Sequence, residues 1–496
     1  MRNSPYNIRV VLAACIGSFT YGYVISVLAT TLAKPDFYNF MNLDPNSDRT
    51  TSMVAVWMCL LYLGGFIGAI IYSWFAYAYG RKAPILLGCA FTMIGGALQA
   101  GSINVAMLTV SRLIIGVGAG LLLPAIPLYQ AEVAPAHARG LMVGLHGSAL
   151  GFGNMLASWM GCAFFHSGGQ KSWRCPLAIQ CVFPLILFVL TIFLPESPRW
   201  LYAQGRESDA EATMIKLHRV RGDLTNEFAR HEFLITKAQL DLELQKKTTI
   251  WKALRVPSQR RRFILGFLAM MGTQCSGLNV LLSYSTEIYS GLGFSAFMTT
   301  VMAGLWTTMN GFGNLAGAMI SDKVGRRKQM LGGYIGVLIG LIGLTTLTKL
   351  FAGTDTAGNK AAVFFIFWII VVYTLGIEAA AFVFSSEIFP SEIRAQGVAF
   401  SMQGLFLSSI LWSSVASPAL ANIGWRFYIV FIATSTMMII IVFFFFPETK
   451  GYTLEQLGAV FGDAVVDDEG HAPAECEKQG AFESDEKTSE AVIETA

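Results

Sequence analysis

Charged residues are scarce in this sequence. Asp, Glu, Lys and Arg make up 14% of its 496 residues, whereas they make up about a quarter of a typical soluble protein. Hydrophobic residues account for 54%. So little polar surface cannot keep a chain of this length in water, which predicts a membrane protein. The net charge of +3 is small and does not indicate a nucleic-acid partner.

The sequence also lacks the patterns of a metal site, a disulfide framework and a nucleotide-binding enzyme. None of its eight cysteines has the spacing of a zinc ligand, and most lie in apolar runs. There is no Gly-x-x-x-x-Gly-Lys-Ser/Thr loop and no clear nucleophile–base set. We therefore expect no metal, no cofactor and no enzymatic activity. The first apolar run is too long for a signal peptide and lacks a cleavage site, which predicts a retained first helix.

Long apolar runs dominate what is present. A helix needs about 20 apolar residues to cross the hydrocarbon layer of a membrane. Continuous runs favour helices over a β-barrel, whose strands alternate. Six runs precede Pro195 and six follow Arg262, at residues 8–31, 52–76, 84–102, 106–129, 141–164, 175–194, 263–286, 297–320, 330–350, 361–385, 396–418 and 425–446. The predicted fold is all-α, with twelve transmembrane helices in two similar six-helix bundles.

Three short signatures occur twice, in the same order. Each half has a Gly-Arg loop, then Glu-x-x-Pro-x-x-x-Arg, then Pro-Glu followed by Ser or Thr. The two copies start at Gly80 and Gly325, at Glu132 and Glu387, and at Pro195 and Pro447, which lie 245, 255 and 252 residues apart. A nearly constant offset indicates a duplicated half.

Lys and Arg concentrate in alternate loops, which predicts that both termini are cytoplasmic. We expect an N-terminal bundle over residues 1–195 and a C-terminal bundle over 263–447. Residues 196–262 are polar and are predicted to form a cytoplasmic linker with short amphipathic helices. The tail, 448–496, becomes acidic and poor in aromatic residues, and we predict that it is largely disordered.

Two similar bundles around one central site can expose that site to either side in turn, which favours a transporter. The repeated charges lie at the predicted cytoplasmic helix ends, where ion pairs could hold that face closed. The alternative is that the cations only set the topology. Acids repeated in register favour a gate, and the candidate gate residues are Arg81, Glu132, Arg139, Glu196, Arg199, Asp322, Arg326, Arg327, Glu387, Arg394 and Glu448.

Taken together, the motifs resemble the sugar porter family of the major facilitator superfamily over residues 8–457. They read Arg112-Leu-Ile-Ile-Gly-Val-Gly-Ala-Gly120, Pro127-x-Tyr129-x-x-Glu132-x-x-Pro135-x-x-x-Arg139-Gly140, Trp173-Arg174-x-Pro176-x-x-x-Gln180, Pro195-Glu-Ser-Pro-Arg-Trp-Leu201, Gln274-x-x-Gly277-x-Asn279, Asp322-x-x-Gly325-Arg326-Arg327 and Pro447-Glu-Thr-Lys-Gly451. The resemblance implies a monomeric secondary transporter in the lipid bilayer of the plasma membrane. Its implied partner is a sugar, a polyol or a similar hydroxylated solute.

In this family, amides on the seventh and eighth helices bind sugar hydroxyls. The matching positions are Gln274, Asn279 and Asn310, with Tyr284 as a nearby aromatic residue. An amide both donates and accepts hydrogen bonds, which suits an uncharged polyol. The alternative is that these amides bond one helix to another.

Several positions depart from the family pattern. Val24 replaces the first-helix acid of proton-coupled members, Gly147 replaces a fifth-helix Gln, and Tyr77 replaces a loop Asp. The Gly-Pro-x-Pro-Trp stretch of the tenth helix reads Glu378-Ala-Ala-Ala-Phe382, and the Asn-Trp of the eleventh reads Leu405-Phe406. These changes predict a less polar cavity and raise doubt about a typical hexose.

Glu378 and Arg112 are charged residues inside predicted helices. A carboxyl group at membrane depth is costly and is a candidate for function. Glu378 could load and release a proton, or it could bond a neighbouring helix or pair with Arg112. Proton symport and facilitated diffusion both stay open, as do a non-transporting nutrient sensor and a transporter of a quinate-like acid or secondary metabolite.

Overall fold

The structure is a computed structural model that describes residues 4–45, 47–135, 138–219, 226–245, 255–285, 288–289, 293–351, 356–390, 393–450 and 457–461. Within these residues the chain is helical and contains no β-strand. Most of the tail predicted over 448–496 lies outside the described residues.

Six membrane-spanning segments form the first half. The last of them is interrupted at Gln180 and Cys181, where two shorter helices meet. The helices are α1 (Pro5–Leu32), the short α2 (Pro35–Met41), α3 (Asp48–Tyr79), α4 (Lys82–Ala100), α5 (Val105–Val133), α6 (Arg139–Ala163), and α7 (Lys171–Ile179) with α8 (Val182–Phe193).

Short polar helices follow the first half. They are α9 (Pro198–Ala203), α10 (Glu207–His218) and α11 (Glu227–Gln245). A small apolar cluster joins them, formed by Leu201, Ala210, Met214 and Phe233. The His218 ring contacts the Glu232 carboxylate at 2.6 Å and the carbonyl oxygen of Val133 at 3.0 Å. These contacts fix α10 and α11 to the end of α5.

The second half repeats the arrangement with two broken segments. Its helices are α12 (Pro257–Cys275) with α13 (Leu278–Ser283), α14 (Ala296–Val324), α15 (Arg326–Phe351), α16 (Thr356–Tyr373), a π turn (Thr374–Glu378) with α17 (Ala379–Glu387), α18 (Arg394–Ile423), α19 (Phe427–Phe445) and the short α20 (Leu457–Val460).

Nine helical segments in the described residues are long and apolar enough to cross a membrane by themselves. The remaining spans, α6, α12 and α14, contain more polar or charged residues. Asn154 on α6 and Asn310 and Asn314 on α14 are buried inside the protein. Polar residues that face the interior lower the apolar content of a span without exposing it to lipid.

The two halves meet along α6 with α14 and along α3 with α18. Glycines make the first contact close, because a Cβ atom built at Gly151 would lie 2.6 Å from the Cα atom of Gly311. On the other side, the Phe406 ring covers Gly65, where a Cβ atom would lie 2.3 Å from it. Between these two seams the helices leave a cavity.

Candidate functional site

The cavity between the halves has about 570 Å³ of empty space, counting its opening to solvent. The first half contributes Tyr21, Tyr62 and Asn154 to the wall. The second half contributes Gln274, Asn279, Trp306, Asn310, Tyr373, Glu378 and Phe382.

A break in the seventh span brings two of the predicted amides to this wall. The helix α12 ends at Cys275, and α13 restarts at Leu278. Gly277 lies between them with φ of +80°, and a Cβ atom there would lie 2.8 Å from the Phe431 ring. Only glycine adopts this conformation without strain in so little space. Gln274 and Asn279, on either side of the break, both line the cavity.

Asn279 is hydrogen-bonded to both halves of the protein. Its Oδ1 accepts from the Tyr62 hydroxyl at 2.6 Å, and its Nδ2 donates to the Ser413 hydroxyl at 3.1 Å. The amide thus faces the cavity and also connects α13 to α3 and α18. In this arrangement a solute that bonded Asn279 would compete with Tyr62.

Two polar groups on α14, on residues that line the cavity, have no hydrogen-bond partner in the described structure. They are the indole Nε1 of Trp306 and the amide Oδ1 of Asn310, both buried. The residues are four positions apart and therefore share one helix face. One is a donor and the other is an acceptor. An unpaired buried polar group is costly, so each would gain a hydrogen bond if a solute hydroxyl reached it.

Glu378 lies at the end of the π turn and is 7% exposed. Its Oε2 accepts from the side-chain amides of Asn314 at 2.8 Å and Asn310 at 3.3 Å. Gln329 stabilises the turn by donating to the carbonyl oxygen of Leu375 at 2.7 Å. The extra residue of a π turn changes the direction in which the following residues point.

Arg112 is fully buried on α5. Its Nε donates to the carbonyl oxygen of Trp57 at 3.2 Å, and neither Nη atom has a hydrogen-bond partner among the described residues. No ion pair between Arg112 and Glu378 occurs in the described structure. Val24 packs in an apolar cluster with Leu61 and Ile115, one turn of α5 from Arg112.

Tyr284 does not belong to the described wall of the cavity. Its hydroxyl donates to the backbone carbonyl of Ser413 at 2.9 Å, so it joins α13 to α18 behind Asn279. Of the positions that depart from the family pattern, Glu378, Phe382 and Leu405 line the cavity. A Cβ atom at Gly147 would lie 3.4 Å from Asn314, so this glycine faces the second half.

A second group of predicted residues lies at one end of the bundles, which we call the charged end. In the first half, Arg81 donates Nε and Nη2 to the two carboxylate oxygens of Glu132, at 2.9 and 2.8 Å. Its Nη1 donates to the carbonyl oxygen of Ala76 at 2.9 Å. Burial alone would lower the pKa of Arg81, but the attraction of the Glu132 carboxylate outweighs this effect. The pKa of Arg81 is therefore raised.

The second half repeats this geometry. Arg326 donates Nη2 to Glu387 at 3.1 Å and Nη1 to the carbonyl oxygen of Ser321 at 3.4 Å. Ala76 and Ser321 are each five residues before their arginine, so the duplication extends to single hydrogen bonds. Thr449 adds a bond to the Glu387 carboxylate at 3.3 Å.

Glu196 and Glu448 hold the loops beside these arginines. Glu196 accepts the backbone N–H groups of Arg81 at 2.9 Å and Ser197 at 2.9 Å. Glu448 accepts that of Arg326 at 2.8 Å. Burial raises the pKa of Glu196, and the N–H groups of Ser197 and Arg81 offset part of this rise.

The pairs Arg81–Glu132 and Arg326–Glu387 each join segments within one half, so they brace each half and do not by themselves bridge the two. A weaker electrostatic attraction, between Glu132 and the buried Arg394, crosses from one half to the other. Arg327 donates to the carbonyl oxygen of Phe443, and Arg199 is buried at the start of α9. The side chains of Arg139 and Asp322 lie outside the described residues.

The family model described as sugar (and other) transporter matches residues 10–461. This chain belongs to the sugar (and other) transporter family. The MFS-type transporter criB of Aspergillus cristatus is 30% identical over 91% of this chain and 92% of its own length. The high-affinity glucose transporter 1 of Candida albicans is 27% identical over 93% and 87%, respectively.

Solved structures give the same fold. The proton:xylose symporter XylE bound to 6-bromo-6-deoxy-D-glucose matches with a TM-score of 0.81 and 24% identity, covering 93% of this chain and 100% of XylE. The inward-open conformation of XylE from E. coli matches with a TM-score of 0.69 and 24% identity, over 92% of this chain and 99% of that one. The backbone is therefore more similar to the sugar-bound form than to the inward-open one.

The family and the fold confirm several predictions from sequence. The chain is a multi-pass membrane protein with the twelve-helix major facilitator fold, and its family consists of transporters, not enzymes. Transport of a sugar or related solute, the main function predicted, is confirmed at the level of the family.

Proposed function

We propose that this protein moves a sugar or polyol across the plasma membrane by alternating access. The observation that carries this proposal is the cavity shared by both halves and lined by the neutral amides of Gln274, Asn279 and Asn310. The relatives named for glucose and xylose support a sugar as cargo. One chain supplies the whole cavity wall, so a monomer suffices.

The unpaired groups on α14 give the solute its first contacts. The Trp306 indole N–H donates to one hydroxyl, and Asn310 Oδ1 accepts from another. Gln274 is half-buried beside them. Asn279 joins the contact when its bond to Tyr62 gives way to the solute. Tyr284 then acts indirectly, by holding α13 against α18.

The charged end is proposed to be the cytoplasmic face, with both termini on that side. The moving units are residues 1–195 and 263–447, connected by the linker 196–262 and followed by the tail 448–496. The pairs Arg81–Glu132 and Arg326–Glu387 keep each unit rigid. The attraction between Glu132 and Arg394 holds the two units together at this face and must be broken for it to open.

Glu378 is the group through which transport would be coupled to protons. It is buried in the cavity wall and is bonded only by neutral amides in the described structure. Facilitated diffusion is the alternative that Val24 favours, because the first helix has no acid at this position. An organic-acid cargo is less well supported, since the described wall of the cavity contains no Lys, Arg or His.

Uptake by the purified full-length chain in sealed vesicles tests the proposal. We expect saturable uptake of at least one labelled neutral sugar or polyol, in a panel with glucose, xylose, a polyol and quinate. Gln274→Ala and Trp306→Phe should each raise the solute KM about fivefold or more, because each removes one hydrogen-bonding group. Uptake of quinate alone, or of none of these solutes, would contradict the proposal.

The same vesicles decide the coupling. Proton symport requires that an inward pH gradient drive accumulation by the unmodified protein and that Glu378→Gln abolish this accumulation. The matched control is exchange of a neutral solute by vesicles that contain the Glu378→Gln variant, with no pH gradient. This exchange needs the binding site but no proton movement. Uptake by the unmodified protein that ignores the gradient would establish facilitated diffusion.

A further inference from the structure

Within the described wall of the cavity, Glu378 is the one acidic residue, and there is no Lys, Arg or His. The other polar residues there are amides, hydroxyls and an indole, among them Gln274, Asn279, Trp306 and Asn310. A sugar with only hydroxyl groups needs no charge for recognition. The carboxyl group therefore adds a feature that a neutral polyol does not explain.

The two oxygens of this carboxyl group have different surroundings. Oε2 accepts both amide N–H bonds, from Asn314 and from Asn310. Oε1 has no hydrogen bond within the described structure, although Glu378 is 93% buried and lines the cavity. An unpaired carboxylate oxygen of a residue that lines a binding cavity is placed to accept a hydrogen bond from what the cavity holds.

Aromatic rings surround the same space. Tyr21, Trp306, Tyr373 and Phe382 contribute to the wall together with Glu378. The face of an aromatic ring attracts cations, and a carboxylate removed from water is stabilised by a positive partner. Hydroxyl-binding amides, aromatic faces and one carboxylate together match a solute that carries both hydroxyl groups and a cation.

We propose that the cavity accepts a hydroxylated solute with a protonated amine, such as an amino sugar, whose ammonium group binds Oε1 of Glu378. This inference rests on the proposed function and names the solute class of the same site. The hydroxyl groups of the solute form hydrogen bonds with Gln274, Asn279, the Trp306 indole N–H and Asn310 Oδ1. When a neutral sugar is bound, a proton on Glu378 replaces the ammonium group.

The test is competitive binding to the purified full-length protein, with glucose and glucosamine as a pair that differs at one substituent. We expect the unmodified protein to bind glucosamine about tenfold more tightly than glucose, because a charge-assisted hydrogen bond is gained. Glu378→Gln, which keeps the shape and removes the charge, should reduce this ratio to about one. Glu378→Asp keeps the charge and should preserve most of the preference.

Each possible result of this experiment has one interpretation. Equal affinity of the unmodified protein for both solutes would overturn the inference and leave the proposed function intact. An unchanged preference in Glu378→Gln would also overturn it, because the preference would then arise elsewhere. If Glu378→Gln does not fold, the binding of N-acetylglucosamine to the unmodified protein is measured instead. Weaker binding of N-acetylglucosamine and of glucose than of glucosamine supports the proposal. Equal binding of N-acetylglucosamine and glucosamine overturns it. Binding of neither glucose nor glucosamine would count against a sugar site altogether.

Discussion

The backbone N–H of Arg81 donates to the Glu196 carboxylate at 2.9 Å, across a separation of 115 residues. Arg326 and Glu448 make the equivalent bond at 2.8 Å in the second half. In both halves the residue before the arginine is a glycine with positive φ, +89° at Gly80 and +98° at Gly325. The paired motifs of the sequence thus encode one local structure, in which a glutamate fixes the loop that aims the arginine at its ion-pair partner.

The first prediction concerns this glycine. A Cβ atom at Gly80 would lie 2.6 Å from Oε2 of Glu196, and its φ and ψ of 89° and −175° fall in a region that is nearly restricted to glycine. Gly80→Ala should therefore lower the free energy of unfolding by about 1–3 kcal/mol. The melting temperature of the purified protein measures this loss.

Gly332→Ala is the matched control. This glycine lies within α15, and a Cβ atom there would meet no other atom within 4 Å. Alanine is the better helix former, so the melting temperature should stay the same or rise. A loss in Gly332→Ala as large as that in Gly80→Ala would show that the Glu196 contact is not the cause.

The second prediction concerns the buried pair of Arg81 and Glu132. Removing one partner leaves the other charge buried without compensation, so Arg81→Leu and Glu132→Leu should each destabilise the protein by about 3–5 kcal/mol. The double variant should lose less than the sum of the two single losses. Denaturation of all four proteins gives the coupling energy.

An exposed ion pair supplies the comparison for that cycle. Arg206 and Asp209 approach to 2.7 Å but are more than half exposed on their side chains. Exposed pairs of this kind contribute little, so Arg206→Gln should leave the melting temperature nearly unchanged. Strict additivity for Arg81 and Glu132 would contradict the bracing role assigned to the pair.

The third prediction separates the two tyrosines beside Asn279. The Tyr62 hydroxyl donates to the Asn279 side chain from the other half, whereas that of Tyr284 donates to a backbone carbonyl outside the cavity. Tyr62→Phe removes the hydroxyl that competes with the solute for Asn279, so we expect solute Kd to fall about fivefold, as for one hydrogen bond that no longer has to be broken on binding. Tyr284→Phe should lower the melting temperature and leave Kd unchanged, and a reversed pattern would contradict these placements.

The fold could be predicted from sequence because its signals are long and repeated. Spans of about 20 apolar residues leave few alternatives to membrane helices. The duplication then fixed which loops share a face, so that Arg81, Glu132, Arg326 and Glu387 were expected at one end. The partners within that group were harder to assign, because each pair joins segments about 50 to 60 residues apart in sequence, 51 for Arg81 and Glu132.

Details of the cavity were less accessible from the sequence. Tyr62 and Trp306 carry no motif, and an aromatic residue in a membrane span is usually packed in the core or against lipid. The spacing of Trp306, Asn310 and Asn314, four residues each, was the signal that a common face existed. The π turn before Glu378 could not be foreseen, since an inserted residue rotates the helix face without leaving a pattern in the sequence.

The fourth prediction addresses Arg112, whose Nη atoms have no hydrogen-bond partner among the described residues. Val24 is fully buried in the cluster with Leu61 and Ile115, next to the turn of α5 that holds this arginine. A carboxylate here is normally costly, but beside an uncompensated guanidinium it gains a partner. Val24→Asp should therefore be more stable than the near-isosteric, neutral Val24→Asn at pH 7, and the order should reverse when Arg112→Met is added to both. Melting temperatures of the four variants measure this, and a Val24→Asp protein less stable than Val24→Asn would mean that the two positions are too far apart to pair.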